Sequence, residues 1–265
     1  MRVRPRLLVN TPTIELWPAW LLRARANRDA RLLARARYVL RRKHGGRYLA
    51  AECDGALVPM VPELAREPGI ADALRALAAH PPHARPGMDT ARPLPVDRLR
   101  ERLHALGLDE SYAERTGLPL VPEPDWLQLA GFDRYCRPLW LLARAARAWN
   151  AMQAAALREG VVLEAISGWR SHDYQLGIFE RKRARGLSVA EILAVNAAPG
   201  YSEHHSGRAL DIGTPDEPPA EESFERTDAF AWLRGNAHAF GFVMSYPRDN
   251  PHGIVYEPWH WCHRG

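Results

Sequence analysis

The chain of 265 residues is poor in cysteine, in lysine and in long apolar runs. Its three cysteines, Cys53, Cys136 and Cys262, are an odd number and form no C-x-x-C pair, which argues against a disulfide framework and against a cysteine-rich zinc site. No apolar stretch approaches the ~20 residues that a membrane-spanning helix needs. The first residues are basic but contain neither a continuous apolar segment nor a small-residue cleavage site, so we expect no conventional signal peptide.

Lysine is nearly absent, because Lys43 and Lys182 are the only two among 36 basic residues. The first 50 residues contain 12 arginines and Lys43 but only the acids Glu15 and Asp29, a net charge of +11 within a chain whose total is +5. A solvated, arginine-rich helix face is the commoner explanation of such a region. Contact with an anionic surface, such as phospholipid, nucleic acid or a teichoic-type polymer, is the alternative. No motif for specific nucleic-acid recognition is present.

Local patterns divide the chain into three parts. An arginine-rich stretch from Leu21 to Arg42 predicts a helix, and Asp54-Gly55 between two apolar runs predicts a hairpin of strands 47–52 and 56–60. Prolines concentrated in 81–95 predict a linker or a long surface loop, followed by a short helix over 96–106. We therefore expect the following organisation: a basic N-terminal region of unknown role (1–95), a connecting helical segment (96–124) and a catalytic domain (125–265).

The last part alternates helical and strand-like patterns. Apolar residues at helical spacing predict helices over 137–158, 171–185, 188–195 and 228–240, the second with Ser171 as its N-cap. Short apolar runs predict strands over 161–166, 208–212 and 242–246, with 253–256 pairing with the last of them. Helices that precede short strands indicate an α+β fold, with a small antiparallel sheet flanked by helices.

Two segments contain the chemistry. His204 and Asp211 lie in the run Ser202 to Asp211, and His260 lies in Glu257-Pro258-Trp259-His260-Trp261. Two imidazoles and one carboxylate are a donor set that zinc takes when one coordination position stays open for water. A single histidine is more often a hydrogen-bonded core or surface residue, but the combination favours a metal site.

Two further residues, Glu257 and His205, lie close to the ligand candidates in the sequence. Glu257 precedes His260 by three residues among stiff, apolar neighbours, where partial desolvation would suit a base that takes a proton from zinc-bound water.

His205 is a rival ligand to His204. In an extended segment, adjacent side chains point to opposite faces, so we expect His205 to flank the site.

Three motifs in order carry a family resemblance: Ser167-Gly168-Trp169-Arg170-Ser171, then Ser202 to Asp211, then Glu257 to Trp261. Over about 125–265 the chain resembles the VanY-type D-alanyl-D-alanine carboxypeptidases, zinc peptidases of the LAS group. The resemblance implies a LAS-type fold and a bound Zn2+. It also implies these roles: His204, Asp211 and His260 as ligands, Glu257 as catalytic base, Arg170 as a catalytic and substrate-binding residue, and Gln175, Ser202 and Trp259 as further substrate contacts.

The sequence departs from the family pattern at two positions. Trp169 stands where tyrosine is commoner, and Cys262 stands where members often carry arginine. Ligation by Cys262 would close the coordination position that catalysis needs, so we expect a packed thiol there.

The function implied is zinc-dependent removal of the C-terminal D-alanine from peptidoglycan peptides, by D,D- or L,D-carboxypeptidase activity. The alternatives are an endopeptidase that cuts crosslinks, as a lysin or an antibacterial effector does, and a non-catalytic zinc or cell-wall binding module. The substrate class indicates the periplasm or cell envelope. Without a signal peptide, an unconventional export route, delivery by a specialised secretion system or lysis, and cytoplasmic recycling of wall fragments all stay open.

Overall fold

A computed structural model of the protein describes residues 4–79, 91–108, 111–193 and 197–265. The chain forms two compact units: residues 1–94 with 124–129, and residues 95–123 with 130–265. This division differs from the expected one. The helical segment 96–124 lies almost entirely within the second unit instead of connecting two domains, and residues 125–129 belong to the first. In the ranges described, no helix is long and apolar enough to cross a membrane.

The first unit is built on an antiparallel sheet. Its elements are β1 (Leu7–Asn10), β2 (Ile14–Pro18), α1 (Asn27–Leu33), β3 (Tyr38–Arg42), β4 (Tyr48–Cys53), β5 (Ala56–Pro59) and α2 (Ile70–Ala79). The strands follow the order β5-β4-β3-β2-β1, and residues 126–128 pair with the outer side of β1. The predicted hairpin is confirmed: Cys53 pairs with Ala56 across Asp54 and Gly55, whose positive φ angles of 55° and 86° suit a tight turn.

The helix predicted over Leu21 to Arg42 is wrong for most of its length. Only α1 is α-helical there, and β3 occupies the end of the range. Tyr38, Val39 and Leu40 are buried in the middle of the sheet, where β3 pairs with β2 on one side and β4 on the other. Burial of a β-branched and aromatic run on both faces outweighs the helical spacing of the arginines. Pro81, Pro82 and Pro86 of the predicted linker lie outside the described residues.

The second unit combines helices with a small antiparallel sheet. The chain enters it through α3 (Asp97–Ala105) and α4 (Ser111–Thr116), and again within β6 (Trp126–Phe132). There follow β7 (Pro138–Leu141), α5 (Ala143–Arg158), β8 (Glu164–Ser167), α6 (His172–Ala184), α7 (Val189–Leu193), β9 (Ala209–Gly213), α8 (Asp228–Asn236), β10 (Phe242–Met244) and β11 (His260–His263). The order β10-β11-β9-β8, with antiparallel neighbours throughout, confirms the predicted α+β fold.

Two hydrophobic clusters hold this unit together. In one, Leu210 and Ile212 of β9 pack with Trp149 of α5 and Leu233 of α8. In the other, the leucines of α3 pack with Leu176 and Phe179 of α6. The segment 96–123 is therefore part of the core of the second unit because its apolar face is buried there.

Several elements differ from the sequence-based predictions, and three of these differences are the largest. The helix predicted from Arg137 starts only at Ala143, because Pro138–Leu141 form β7. Residues 253–256 form no strand, and β10 pairs instead with β11, with Met244 opposite Trp261. The helix predicted over 228–240 ends at Asn236 and continues as a 3-10 turn.

The N-cap of α6 provides a stability prediction. Ser171 is buried, and its Oγ accepts a hydrogen bond from the backbone N of Tyr174 at 3.1 Å. We expect Ser171→Ala to lower the free energy of unfolding by about 1 kcal/mol, because a helix N–H loses its acceptor. Urea unfolding of the two proteins in parallel measures the difference, and a change below about 0.3 kcal/mol would show that the cap contributes nothing.

Candidate active site

Three buried side chains meet at the centre of the small sheet. Asp211 on β9 and His260 on β11 are directly opposite each other in the strand register. His204 lies in the 3-10 turn Glu203–Ser206 that precedes β9. One potential ligand atom of each residue lies within 4.8 Å of the other two, and all three side chains are buried. The motif residues expected to bind a metal are thus brought together.

The spacing of these atoms suits a zinc ion. Asp211 Oδ1 is 3.2 Å from His204 Nε2 and 3.1 Å from His260 Nδ1. Ligand atoms about 2.0–2.2 Å from zinc in a tetrahedral arrangement lie roughly 3.3–3.6 Å from one another. The donor set and its spacing therefore fit the ion that the sequence implies.

The hydrogen bonds of His204 define its tautomer. Nδ1 lies 2.8 Å from the carbonyl oxygen of Gly168, which can only accept, and Nε2 lies 2.9 Å from Nη2 of Arg170, which can only donate. Nδ1 therefore carries the hydrogen, and Nε2 presents a lone pair. Burial, assisted by the charge of Arg170, lowers the pKa of His204 to about 4, which keeps the ring neutral.

His260 is oriented by an acid that the sequence reasoning missed. Its Nε2 lies 3.0 Å from Oε2 of Glu203, so Nδ1 points towards Asp211. Burial alone would lower the pKa of His260, but hydrogen bonds to Asp211 and Glu203 raise it to about 9. The two carboxylates thus favour a positive charge at this position, which a metal ion also supplies. An acceptor behind each imidazole is the usual arrangement for histidines that bind metals.

Glu257 stands beside the three ligand candidates. Its Oε2 is 3.8 Å from His260 Nδ1, and its backbone N donates to the carbonyl of Tyr246 at 3.0 Å. Burial raises the pKa of the Glu257 carboxyl to about 7. A carboxylate with that proton affinity suits a general base near neutral pH.

Arg170 follows β8 and reaches the same place. Its Nε donates to Oγ of Ser167 at 3.1 Å, and its Nη2 donates to Oδ2 of Asp211 at 2.6 Å. Nη1 makes no hydrogen bond to any residue that the structure describes, so its hydrogens are available to an oxygen of a bound molecule. The arrangement allows Arg170 to bridge Asp211 and a substrate.

Two glycines explain the local sequence of the motifs. A Cβ on Gly168 would lie 2.6 Å from Cδ1 of Leu139 and 3.2 Å from the carbonyl oxygen of Trp140, so any larger residue before Arg170 would force these neighbours to shift. Gly207 ends the turn that carries His204 with a φ of 70°, a conformation that glycine adopts without steric cost.

The remaining substrate contacts stay predictions. Gln175 is buried on α6, where its Nε2 lies 3.5 Å from the carbonyl oxygen of Ala197 and its Oε1 has no partner among the described residues. Ser202 is buried just before the 3-10 turn. Trp259 packs against the core, and its carbonyl accepts from Ile212 N at 2.8 Å. Within the described ranges, these side chains make no hydrogen bond to His204, Asp211 or His260.

His205 and Cys262 are not part of the ligand group. The Nδ1 of His205 donates to the carbonyl of Arg170 at 2.7 Å, and its Nε2 accepts from Gly200 N at 3.1 Å, so both ring nitrogens are used away from the metal candidates. The turn is a 3-10 helix, not an extended strand, but His205 flanks the site as expected. Burial, with the charge of Glu203, raises the pKa of the Cys262 thiol to about 12, so it stays protonated.

Sequence reasoning also missed the residues that hold Glu203. Ser245 Oγ donates to Glu203 Oε2 at 2.6 Å, and Arg264 Nη2 donates to Glu203 Oε1 at 2.6 Å. Burial alone would raise the pKa of Glu203, but hydrogen bonds from His260 and Ser245 and the charge of Arg264 lower it to about 2. The only sequence feature that could have pointed to Glu203 is its position next to His204.

Comparison with known proteins gives a consistent result. Residues 139–265 match the family model VanY, described as D-alanyl-D-alanine carboxypeptidase. A putative carboxypeptidase of Bacillus subtilis, YodJ, is 36% identical over 49% of this chain and 48% of its own length. A D-alanyl-D-alanine carboxypeptidase of Enterococcus faecium is 33% identical over 46% of this chain and 37% of its own. The chain thus spans less than half the length of these two relatives.

Among solved structures, a vancomycin-resistance D,D-pentapeptidase, VanY, in complex with Zn(II) is 28% identical to this chain. The match covers 48% of this chain and 74% of that one, with a TM-score of 0.40.

Proposed function

We propose that this chain is a zinc peptidase that removes the C-terminal D-alanine from peptidoglycan peptides, because residues 139–265 match the family model VanY, described as D-alanyl-D-alanine carboxypeptidase. One observation carries the proposal. Two imidazole nitrogens and a carboxylate oxygen converge next to a buried glutamate and a partly free arginine. That combination provides a metal site, a base and an anion-binding group in one place.

The ligands would be His204 Nε2, Asp211 Oδ1 and His260 Nδ1, which leaves room for a fourth ligand from solvent or substrate. When bound, zinc supplies a Lewis acid that polarises a carbonyl group and lowers the pKa of a water molecule to about 7. The neutral state of His204 and the orientation of His260 mean that neither ring has to reorient before it binds the ion.

Glu257 would move the protons. Its carboxylate would take a proton at Oε2 from the water that forms a bond to the scissile carbonyl carbon. It would then give this proton to the amide nitrogen as the C–N bond breaks, so that alanine leaves with a free amino group. A group with a pKa of about 7 can do both near neutral pH, because neither state is strongly favoured. Its distance of 3.8 Å from His260 Nδ1, a proposed metal ligand, supports this role.

Arg170 would bind a negatively charged oxygen of the substrate. Its Nη2 is held by Asp211, and its Nη1 can donate to the terminal carboxylate or to the oxyanion that develops on the scissile carbonyl. The guanidinium fork is rigid, so fixing one end orients the other. We propose both D,D- and L,D-linked peptides as substrates to test, because both end in this carboxylate.

The setting of the reaction is a proposal as well. We propose the periplasm or cell envelope as its location, because the proposed substrate is peptidoglycan; cytoplasmic recycling of wall fragments is the alternative. Exposed arginines near α1 give the first unit a basic surface that suits contact with an anionic polymer there. They are Arg23, Arg25, Arg28 and Arg31.

A product analysis tests the proposed activity. We expect purified muropeptides incubated with the protein to lose one terminal alanine by mass spectrometry, and we expect a chelator to abolish the loss and added zinc to restore it. Cleavage of crosslinked dimers without release of terminal alanine would indicate an endopeptidase. If the muropeptides stay unchanged in the presence of zinc, the proposal is contradicted. A non-catalytic binding module would then be the remaining hypothesis.

A further inference from the structure

Glu203 is held by three side chains from two other parts of the chain, the end of β10 and the region of β11. Its Oε2 accepts from Ser245 Oγ at 2.6 Å and faces His260 Nε2 at 3.0 Å, while its Oε1 accepts from Arg264 Nη2 at 2.6 Å. Ser245 directly follows β10 and Arg264 directly follows β11. Both oxygens of this carboxylate are thus fixed in position.

The contact with His260 determines which nitrogen faces the metal position. Carboxylates accept at both ring nitrogens, Glu203 at Nε2 and Asp211 at Nδ1. A metal ion that binds Nδ1 takes the place of the proton there, and the one remaining N–H of the ring is then the one at Nε2 that Glu203 accepts. A carboxylate behind the ring also makes the ligating nitrogen more basic, which strengthens metal binding. His204 has only the neutral carbonyl of Gly168 in the equivalent place, so the two ligands are supported differently.

A purely structural role explains the geometry less well. The side chain of Arg264 is 54% exposed, and ion pairs with an exposed partner stabilise proteins little. The side chain of Glu203 is only 16% exposed, and that of His260 is 3% exposed. The buried end of the carboxylate is therefore directed at the metal candidate and its exposed end at the arginine.

We propose that Glu203 is a positioning residue for His260. It fixes the tautomer and orientation of the ring for metal binding, while Ser245 and Arg264 hold the carboxylate in place. This inference rests on the proposed function, because it assumes that His260 binds zinc.

Zinc affinity measured by competition with a chelator tests the role of Glu203 without the use of substrate. We expect Glu203→Ala to weaken zinc binding about 10- to 100-fold. Glu203→Gln retains the shape of the side chain and one acceptor oxygen. Its zinc affinity should therefore lie between that of Glu203→Ala and that of the wild type. Ser245→Ala should weaken binding less than Glu203→Ala, because one of three partners is removed. The matched control is Glu221→Ala, a change at an exposed glutamate, which should bind zinc as the wild type does.

A second readout separates positioning from general stability. We expect the absorption spectrum of the cobalt-loaded protein to change in Glu203→Ala, because the ring that binds the metal is no longer fixed. A merely structural role would lower the melting temperature of the metal-free protein and leave affinity and spectrum unchanged. Glu203→Gln serves if the alanine variant does not fold.

The outcomes distinguish the two proposals. If the wild type binds no zinc, the proposed function fails and this inference fails with it. If the wild type binds zinc, and both glutamate variants bind it with the same affinity and spectrum, only the role of Glu203 is overturned.

Discussion

Replacing Glu257 by glutamine is expected to lower kcat/KM for release of terminal alanine by about 100- to 10,000-fold, the contribution of a positioned general base. Glutamine has nearly the same shape, but its amide cannot accept and return a proton. The backbone of residue 257 stays bound to the carbonyl of Tyr246, so the local fold should be retained. The measurement is steady-state hydrolysis of a peptide that ends in D-Ala-D-Ala.

Zinc affinity is the necessary companion measurement for this variant. Glu257 is not one of the three ligand candidates, so we expect the chelator-competition affinity to change less than about threefold. Glu221→Gln makes the same chemical change at an exposed position and should leave hydrolysis unaffected. An active Glu257→Gln variant with normal metal content would show that another group moves the proton.

Asp211→Asn is expected to weaken zinc binding by more than about 100-fold and to abolish hydrolysis at limiting zinc. Asp211 Oδ1 is close to Nε2 of His204 and Nδ1 of His260, and Oδ2 accepts from Arg170. An amide removes the negative charge and turns two N–H hydrogens towards either the imidazole nitrogens or the guanidinium. In the second orientation, donor faces donor, and Arg170 loses the partner that orients it.

The stability of the metal-free protein separates the loss of the hydrogen bonds to Asp211 from the loss of a zinc ligand. We expect the free energy of unfolding of metal-free Asp211→Asn to be about 1–3 kcal/mol lower than that of the metal-free wild type, because buried donors lose their acceptor. The control is Asp249→Asn, an exposed position with a φ of 60° that asparagine tolerates. Zinc binding by Asp211→Asn at wild-type affinity would contradict the ligand assignment.

Much of this site can be predicted from local sequence. His204, Asp211 and His260 have the side chains that zinc requires, and the strand and turn on which the first two lie are readable from a short apolar run and a glycine. Glu257 was identifiable because it lies three residues from a ligand, a separation that keeps it in the same neighbourhood. The α+β class also followed from periodicity, since helices and strands bury one face at characteristic spacings.

Other features depended on contacts that no local pattern contains. β3 and β7 lie in segments where the sequence pattern predicts helices. For β3, pairing with β2 and burial decided the conformation instead. The segment 96–123 became part of the second core only because α6 offered it an apolar surface.

The sequence by itself determined which atoms can bind a metal and which acid can serve as a base, because those properties belong to the side chains. Only the tertiary structure decided how they are oriented. Glu203 lies 57 residues from His260 and 61 from Arg264, and hydrogen bonds over such separations exist only after β9, β10 and β11 have assembled. The first metal motif was visible in the sequence, and its second function, holding the other histidine in place, became visible in the fold.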